Sequence, residues 1–288
     1  MYIKTVWAAY FSATQTTKKT VEAIAGEAAQ SCGAAMKCWD WTLPQARTEG
    51  KAFSEEDVVI FGTPVYAGRV PNVLLGDFER ISGGGAMAVA VCSYGNRHYD
   101  DALIELRDLL ERRGFRVIAA AAFIGEHSFS QTLAAGRPDK EDLRIAKQFG
   151  ARAAALAASL AQRQDGIESL PKLCVPGTEA PYRGYYRPQD RSGNFIDIRR
   201  VKPLTSEACN ACGLCAKLCP MGSIALQDVR QFTGICIKCG ACIKRCPQKA
   251  RYYDDSGYLY HKEELEEGLK RRAEPELFFS SACGIEGE

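Results

Sequence analysis

Eight of the chain's thirteen cysteines fall between residues 209 and 246, in two copies of one spacing. The copies are CNACGLCAKLCP (209–220) and CIKCGACIKRCP (236–247), and each reads Cys-x2-Cys-x2-Cys-x3-Cys-Pro. Three thiolates at this spacing can surround one face of an iron–sulfur cubane, while the fourth points away toward a second cubane. The proline after the fourth cysteine prevents a regular helix from continuing. The spacing therefore predicts two [4Fe–4S] clusters with crossed ligation.

Crossed ligation divides the cysteines into two sets, each with three members from one motif and one from the other. The predicted ligands are Cys209, Cys212, Cys215 and Cys246 for one cluster, and Cys236, Cys239, Cys242 and Cys219 for the other. A pair of zinc sites is the alternative, but zinc needs only CxxC pairs and does not explain the Cys-Pro ending of both copies. Disulfides are disfavoured because the cysteines are concentrated in one part of a long chain without a recognisable signal peptide. The segment resembles the bacterial two-cluster ferredoxins, internal repeat included.

A second group of chemically active residues lies near the N-terminus, in the stretch FSATQTTKK (11–19). Ser12, Thr14, Thr16 and Thr17 stand within six residues, between an apolar run and a helical pattern. A single hydroxyl would be enough to cap a helix. A phosphate site at a helix N-terminus would use more of them. The loop lacks the Gly-x4-Gly-Lys-Ser/Thr of an ATPase and the Gly-x-Gly-x2-Gly of a dinucleotide-binding fold.

Both groups need a scaffold, and the first 163 residues predict one. Apolar runs predict strands over 2–11, 34–41, 57–64, 86–95 and 116–125. Helical patterns lie between them or after them, near 17–30, 72–81, 99–113 and 139–163. Strands that are continuously apolar and separated by helices indicate a parallel sheet covered on both faces. The prediction is an α/β domain with a doubly wound, five-stranded parallel sheet.

The hydroxyl loop has the form Ser-x-Thr-x-x-Thr between the first strand and the first helix, and it resembles the phosphate loop of flavodoxins. The resemblance implies that FMN binds here, with its phosphate held by the four hydroxyls and by the amides of Ala13 and Gln15. Flavodoxin loops usually carry glycine where Ala13 and Gln15 stand, so we expect a wider turn in this chain.

Two further loops support the resemblance: GTPVYAGRVPN (62–72) after the third strand and CSYGNRHYDDAL (92–103) after the fourth. In flavodoxin-like proteins these loops hold the isoalloxazine ring. The resemblance implies that Tyr66 and either Tyr94 or Tyr99 stack on the ring, that the Ala67–Gly68 peptide turns toward the flavin N5, and that Asn96 bonds the pyrimidine edge. The complete predicted FMN site is Ser12, Thr14, Gln15, Thr16, Thr17, Pro64, Val65, Tyr66, Ala67, Gly68, Ser93, Tyr94, Gly95, Asn96 and Tyr99.

Together the two halves resemble a fusion in which a flavodoxin-like domain precedes a small α+β two-cluster ferredoxin domain. The predicted divisions are a flavodoxin-like FMN-binding domain (1–163), an extended connector rich in Pro, Gly, Tyr and Arg (164–202), a two-[4Fe–4S] ferredoxin domain (203–255), and a C-terminal helix and tail (256–288). The last helix is expected over 262–272.

Such a fusion implies electron transport in anaerobic metabolism. The favoured function is a low-potential electron carrier that relays single electrons between the two clusters and FMN, with redox proteins as donor and acceptor. One alternative is an FMN- and cluster-dependent reductase of a quinone or nitro compound, with His98 and His127 as possible proton donors. Another is a docking subunit that no longer binds FMN. Whether the protein is an enzyme is left open by the sequence.

Composition excludes other classes of function. The net charge is only +2, and no Lys/Arg run is long enough to indicate nucleic-acid binding. No apolar segment approaches the roughly 18 residues that predict a membrane span. The apolar N-terminal run is short and follows a single charged residue, Lys4, so it is better interpreted as a strand than as a signal peptide. We therefore expect a cytoplasmic protein.

Overall fold

The computed structural model describes residues 2–162 and 170–280. Its strands are β1 (Thr5–Tyr10), β2 (Ala35–Asp40), β3 (Lys51–Ala52), β4 (Asp57–Pro64), β5 (Ile81–Ser82), β6 (Met87–Tyr94), β7 (Arg116–Ile124), β8 (Leu204–Thr205), β9 (Arg251–Tyr252) and β10 (Glu276–Phe279). Its α-helices are α1 (Thr16–Cys32), α2 (Leu75–Phe78), α3 (Ala102–Arg112), α4 (Lys140–Ala161), α5 (Leu214–Lys217), α6 (Ala241–Lys244) and α7 (Ser256–Gly268). Two 3-10 turns cover Pro44–Arg47 and Asn72–Leu74.

The central sheet has the strand order β10-β7-β6-β4-β1-β2. All neighbours are parallel except β10, which pairs antiparallel with β7 at one edge. Numbered along the chain, the five long parallel strands run 2-1-3-4-5, which is the flavodoxin-like order. The predicted fold class is thus confirmed.

Burial on both faces of the sheet explains why its central strands are continuously apolar. Every residue of β6 is buried, and every residue of β7 after Arg116 is buried. One face carries an aromatic cluster that includes Trp41, Phe61 and Phe78. On the other face α1 and α4 pack together. They approach closely at Gly150, where a Cβ would lie 2.4 Å from the carbonyl oxygen of Ile24.

Three elements differ from the sequence predictions. The helix expected over 72–81 is one 3-10 turn followed by the four-residue α2. Helix α7 begins at Ser256 rather than 262, because the Asp255 side chain accepts a hydrogen bond from the Tyr258 amide and starts it earlier. The predicted tail contains β10, a sixth strand that the five-stranded prediction did not include. Residues 281–288 of that tail lie outside the described residues.

Among the described residues, every helix is too short or too polar to cross a lipid bilayer.

The described part of the predicted connector, residues 170–202, is extended, and its first part, up to Arg183, packs along α3. Residues 164–169 lie outside the description. The Tyr182 hydroxyl donates a hydrogen bond to Asp108 at 2.8 Å. The carboxylate of Asp101, at the start of α3, accepts hydrogen bonds from the amides of Thr178 and Arg183 and from the Arg183 side chain. Burial alone would raise the pKa of Asp101, but these hydrogen bonds outweigh it and lower the pKa to about 2.

Replacing Asp101 with asparagine tests how the connector is held. The side chain of Asp101 is fully buried, so the loss of its charge should cost about 1–3 kcal/mol of unfolding free energy at pH 7. Because the folded pKa lies below the ordinary value of 3.8, the stabilisation is complete above about pH 4 and is lost as the pH falls through about 2. The variant should therefore lose pH dependence in that window. Urea and acid unfolding followed by tryptophan fluorescence measure both effects.

Asp197→Asn is the matched control, because Asp197 pairs with Arg199 on the exposed part of the connector. Its substitution should change stability by no more than about 0.5 kcal/mol. Equal losses for the two variants would contradict the role assigned to Asp101.

Candidate functional site

The eight motif cysteines line two neighbouring cavities. The outer cavity is lined by the outer set, Cys209, Cys212, Cys215 and Cys246. The inner cavity is lined by the inner set, Cys219, Cys236, Cys239 and Cys242. Cys242 also reaches the outer cavity, so the two cavities lie side by side. This grouping is the one that crossed ligation requires.

The two motifs fold in the same way, as their repeated spacing suggests. Gly213 and Gly240 precede the short helices α5 and α6 with φ of 74° and 76°, a conformation that glycine adopts without strain. In each motif the fourth cysteine, Cys219 or Cys246, accepts a hydrogen bond at 3.4 Å from the amide four residues later. The fourth cysteine is therefore held in the same orientation in both copies.

The arrangement suits a cluster better than a single metal ion. Within residues 2–162 and 170–280, no group of three or more His, Cys, Asp or Glu side chains converges on a point that one ion could occupy. Tetrahedral zinc needs such convergence, whereas a four-iron cubane needs cysteines spread around a cavity.

Arg251 lines the outer cavity, and its buried Nε and Nη2 atoms have no hydrogen-bond partner among the described residues. Two such donors fit an anionic cluster.

The inner cavity also contains a tyrosine placed to affect a cluster. The Tyr253 hydroxyl lies 4.0 Å from Cys236 Sγ, and its ring stacks on Tyr258 at a centroid distance of 3.9 Å. A hydrogen bond to a cluster sulfur stabilises the more negative, reduced state. With the inner cluster in place, Tyr253→Phe should lower its midpoint potential by about 20–60 mV, which corresponds to a hydrogen bond of about 0.5–1.5 kcal/mol. Redox titration followed by electron paramagnetic resonance measures the shift.

The neighbouring Tyr252→Phe supplies the control, because Tyr252 is 43% exposed and does not line the inner cavity. Its substitution should leave both cluster potentials unchanged. If the two variants shift the inner potential equally, the Tyr253 hydroxyl has no specific effect.

A third cavity, which we call the loop cavity, lies where β1, β4, β6 and β7 end. Nine residues predicted from the sequence to bind FMN line it: Thr14, Thr16, Thr17, Pro64, Val65, Tyr66, Ser93, Tyr94 and Gly95. The other lining residues are Ala13, Gly125, Glu126, His127, Ser128 and Cys239. One member of the inner cysteine set thus borders the cavity formed by the three predicted FMN loops.

The hydroxyl loop begins α1 without using its threonines as caps. The N-cap is Gln15, in the left-handed conformation with φ of 70°, and its own side chain makes no capping hydrogen bond. In the described part of the chain, the hydroxyls of Thr14, Thr16 and Thr17 have no hydrogen-bond partner. The buried Ser93 hydroxyl, across the cavity, has none either. Free hydroxyls at a helix N-terminus fit an anion such as phosphate.

The structure does not bring six predicted residues to this cavity: Ser12, Gln15, Ala67, Gly68, Asn96 and Tyr99. Ser12 is used at the start of α1, where its Oγ accepts a hydrogen bond at 3.0 Å from the first-turn amide of Lys18. Tyr99 is buried in the core and donates to Glu276 on β10 at 2.7 Å.

Asn96 and the Ala67–Gly68 peptide are engaged elsewhere, contrary to the roles that the resemblance implied. The Asn96 Nδ2 group donates to the carbonyls of Leu269 and Arg271 after α7, which uses both of its hydrogens. The Ala67 carbonyl accepts a hydrogen bond from the connector amide of Tyr186 at 2.8 Å, so a flip of that peptide would break this bond. Ala67 lines a different cavity, described below.

Four residues after β7 line the loop cavity, and the sequence predictions included only His127 among them, as a possible proton donor; Gly125, Glu126 and Ser128 were missed. A general rule could have identified them, because ligands of doubly wound sheets bind beyond the carboxyl ends of several strands. His127 is the most informative of them. Its Nδ1 accepts a hydrogen bond from the Phe129 amide at 3.1 Å, and burial lowers its pKa to about 4. The ring is therefore neutral at pH 7, and its proton lies on Nε2.

Residues 208–251 match the family model of the 4Fe-4S dicluster domain. This match covers both cysteine motifs, and the strand order of the N-terminal sheet is flavodoxin-like. The chain is a fusion of a flavodoxin-like domain with a 4Fe–4S dicluster domain. An iron–sulfur domain of this kind gives the chain a role in redox chemistry.

Solved structures similar to the flavodoxin-like domain include a flavodoxin from the domain Archaea, with 17% identity over 54% of this chain and 99% of that one, at a TM-score of 0.36. Flavodoxin 1 of Bacillus cereus has 19% identity over 54% of this chain and 97% of its own, at a TM-score of 0.38. The apo form of an NADH:FMN oxidoreductase has 16% identity over 56% and 92%, at a TM-score of 0.42. No curated protein sequence matches the chain.

The dicluster domain is packed directly on the carboxyl edge of the flavodoxin-like sheet. The buried Arg47 donates through Nη2 to the carbonyl of Pro220, next to Cys219, at 2.8 Å. Lys244 forms an ion pair with Glu126 and donates to the Ser130 carbonyl at 2.7 Å. These contacts hold the inner cysteine set against the loop cavity.

A large cavity, which we call the chamber, adjoins the loop cavity. Its volume is about 650 Å³, against about 60 Å³ for the loop cavity. The two share Val65, Tyr66, His127 and Ser128. The rest of the chamber is formed by Ala67, Arg97 and Phe129, by connector residues between 184 and 199, by Ile237 and Lys238 of the dicluster domain, and by His261 and Leu265 of α7.

Proposed function

We propose that this protein transfers single electrons between two [4Fe–4S] clusters and one FMN within the same chain. The outer and inner cysteine sets would each hold a cluster, and the loop cavity would hold the FMN phosphate. One observation carries the proposal: Cys239 lines both the inner cavity and the loop cavity. The inner cluster and the cofactor in the loop cavity would then be neighbours, without a partner protein between them.

The dimensions of the cavities support this placement of FMN. A cavity needs about 10–15 Å³ to hold a single water. The loop cavity, at about 60 Å³, therefore has room for a phosphate but not for a ring system. The ring would therefore extend past Val65 and Tyr66 into the chamber. The three free threonine hydroxyls and the amides that begin α1 would hold the phosphate. Bound FMN exchanges one or two electrons, which lets it accept single electrons from a cluster.

Burial suggests the direction in which electrons enter. Cys212 of the outer set is exposed, whereas Cys239 of the inner set is buried. The loop cavity includes no residue of the outer set. An external protein donor would thus reach the outer cluster first, and the inner cluster would pass electrons on to FMN.

Anaerobic purification followed by quantification of iron, sulfide and flavin tests the proposal. We expect about eight irons and one FMN per chain, and reduction of the flavin by a low-potential donor protein through the clusters. Stopped-flow spectra should show cluster bleaching before flavin bleaching. Eight irons without flavin, even after reconstitution with FMN, would refute the proposal for the loop cavity.

The chamber supports a second candidate function, reduction of a small substrate such as a quinone or nitro compound by the FMN. A volume of about 650 Å³ lies within the range of small-molecule sites, about 300–1,000 Å³. The flavin ring would occupy part of this space, and an electron carrier that reacts only with proteins has no need of the remainder. Steady-state turnover of quinone and nitro compounds with a reduced protein donor distinguishes the two functions.

A further inference from the structure

The chamber combines aromatic surfaces with positive charge. Its aromatic lining residues are Tyr66, Phe129, Tyr185, Tyr186 and Phe195. Its charged lining residues are Arg97, Arg187, Arg199, Lys238 and Asp197. Four cations against one anion leave an excess of three positive charges. Burial lowers the pKa of both His127 and His261, so the excess at neutral pH comes from arginine and lysine.

Three of the four cations are engaged by other groups. Arg97 pairs with Asp100, and Arg199 pairs with Asp197. Lys238 donates to the carbonyls of Arg199 and Cys236, close to the inner cysteine set.

Arg187 differs from these three cations. In the described residues it has no acidic partner, and its guanidinium lies 3.9 Å from the centre of the Phe195 ring. The guanidinium of Arg97 also stacks on a ring, 4.3 Å from the centre of Tyr186, but it is engaged by Asp100. A stacked guanidinium without an acidic partner, as at Arg187, keeps its N–H edges free, and those edges match a carboxylate in two-point geometry.

We propose that the chamber binds a planar organic anion, a conjugated or aromatic carboxylate, beside the flavin. Arg187 would receive the carboxylate, and the aromatic lining of the chamber would contact its planar part. The assignment rests on the proposed function, in which FMN occupies the loop cavity and the adjoining edge of the chamber. It deepens the reductase candidate, because it names the chemical class of the small molecule.

The chamber depends on parts of the chain outside the flavodoxin-like domain. Connector residues 184–188 and 195–199, Lys238 of the dicluster domain and His261 of α7 complete its walls. The Tyr186 amide fixes the connector to the Ala67 carbonyl, at the edge where the ring would lie. An anion at Arg187 would thus be held by the connector, next to the segment that is bonded to Ala67.

Calorimetric titration of the FMN- and cluster-loaded protein with cinnamate tests the assignment. We expect saturable binding, and we expect cinnamyl alcohol, which has the same ring and double bond without the charge, to bind at least about tenfold more weakly. Arg187→Gln should weaken cinnamate binding by at least about tenfold, and Arg187→Lys should restore part of it because the charge remains without the planar fork. Neither variant should alter the binding of the alcohol.

Arg200→Gln is the matched control, because Arg200 is exposed on the same connector and does not line the chamber. Its cinnamate affinity should stay within about twofold of wild type. Iron and flavin contents are measured in each sample, so that loss of a cofactor is not mistaken for loss of the anion site.

The outcomes separate this assignment from the proposed function. Arg187-dependent binding of cinnamate supports the anion site, even in protein that proves unable to hold FMN. Absence of binding, equal affinity for acid and alcohol, or equal effects of the Arg187 and Arg200 variants overturns it, even if the flavin is reduced through the clusters. Binding only to FMN-depleted protein also overturns it, since the chamber would then be filled by the flavin ring itself.

Discussion

Cys219→Ala is expected to remove the inner cluster and to abolish reduction of FMN through the clusters, while the outer cluster stays in place. Cys219 belongs to the first motif by sequence but lines the inner cavity with three cysteines of the second motif. Iron content should fall from about eight to about four per chain. Flavin reduction by a donor protein should be lost, because the remaining cluster lies at the cavity that does not border the loop cavity.

Cys246→Ala is the matched variant, since Cys246 is the fourth cysteine of the second motif and lines the outer cavity. It should lose a similar amount of iron but keep an inner cluster that can still exchange electrons with FMN when a small reductant is supplied. Combining each variant with Tyr253→Phe identifies the cluster that remains. The tyrosine substitution should shift the potential only in the Cys246→Ala background. A shift in the Cys219→Ala background instead would mean that each motif ligates its own cluster.

The parts of the fold that the sequence predicts well depend on short-range patterns. The strand over 57–64 was predicted at the bounds that β4 has, because its apolar run is continuous and ends at Pro64. The two cysteine sets follow from spacing within twelve residues and from one internal repeat. The loop cavity can be predicted because ligands of open α/β sheets bind beyond the carboxyl ends of the strands. This rule places the loops after β1, β4 and β6 together before any contact is known.

Long-range contacts explain what the sequence does not predict. Asn96 lies in a predicted flavin loop, but the segment after α7, more than 170 residues later, uses its side chain. That segment leads into β10, whose four residues carry no strong pattern of their own and are fixed by pairing with the edge of β7. Pairing with a distant segment satisfies the backbone hydrogen-bonding groups at the edge of β7, but the local sequence does not reveal which segment will pair there. The chamber is unpredictable for the same reason, since four separate parts of the chain form it: the flavodoxin-like domain, the connector, the dicluster domain and α7.

The packing of the two domains explains why the cluster nearest the flavin should be the inner one, and Gly240 lies where they approach closely. A Cβ at Gly240 would lie 2.5 Å from the carbonyl oxygen of Ser128, a residue that borders both the loop cavity and the chamber. Gly240→Ala should therefore push the inner cluster away from the loop cavity and slow electron transfer to FMN. The left-handed backbone alone costs about 1–2 kcal/mol for alanine, and the clash should add roughly 1–3 kcal/mol.

Gly213→Ala separates the cost of the left-handed backbone from the cost of the clash with Ser128. Gly213 has nearly the same φ, 74° against 76°, at the equivalent position of the first motif. There the nearest atom to a new Cβ is the flexible Leu226 Cδ1 at 3.1 Å, away from the flavodoxin-like domain. In urea unfolding, this variant should lose the free energy that the left-handed backbone costs alanine. In stopped-flow experiments it should keep the wild-type rate of flavin reduction, with the rate normalised to chains that hold their full iron content. Equal electron-transfer rates in the two variants would contradict a direct path from the inner cluster to the loop cavity, because only Gly240→Ala disturbs the contact between them.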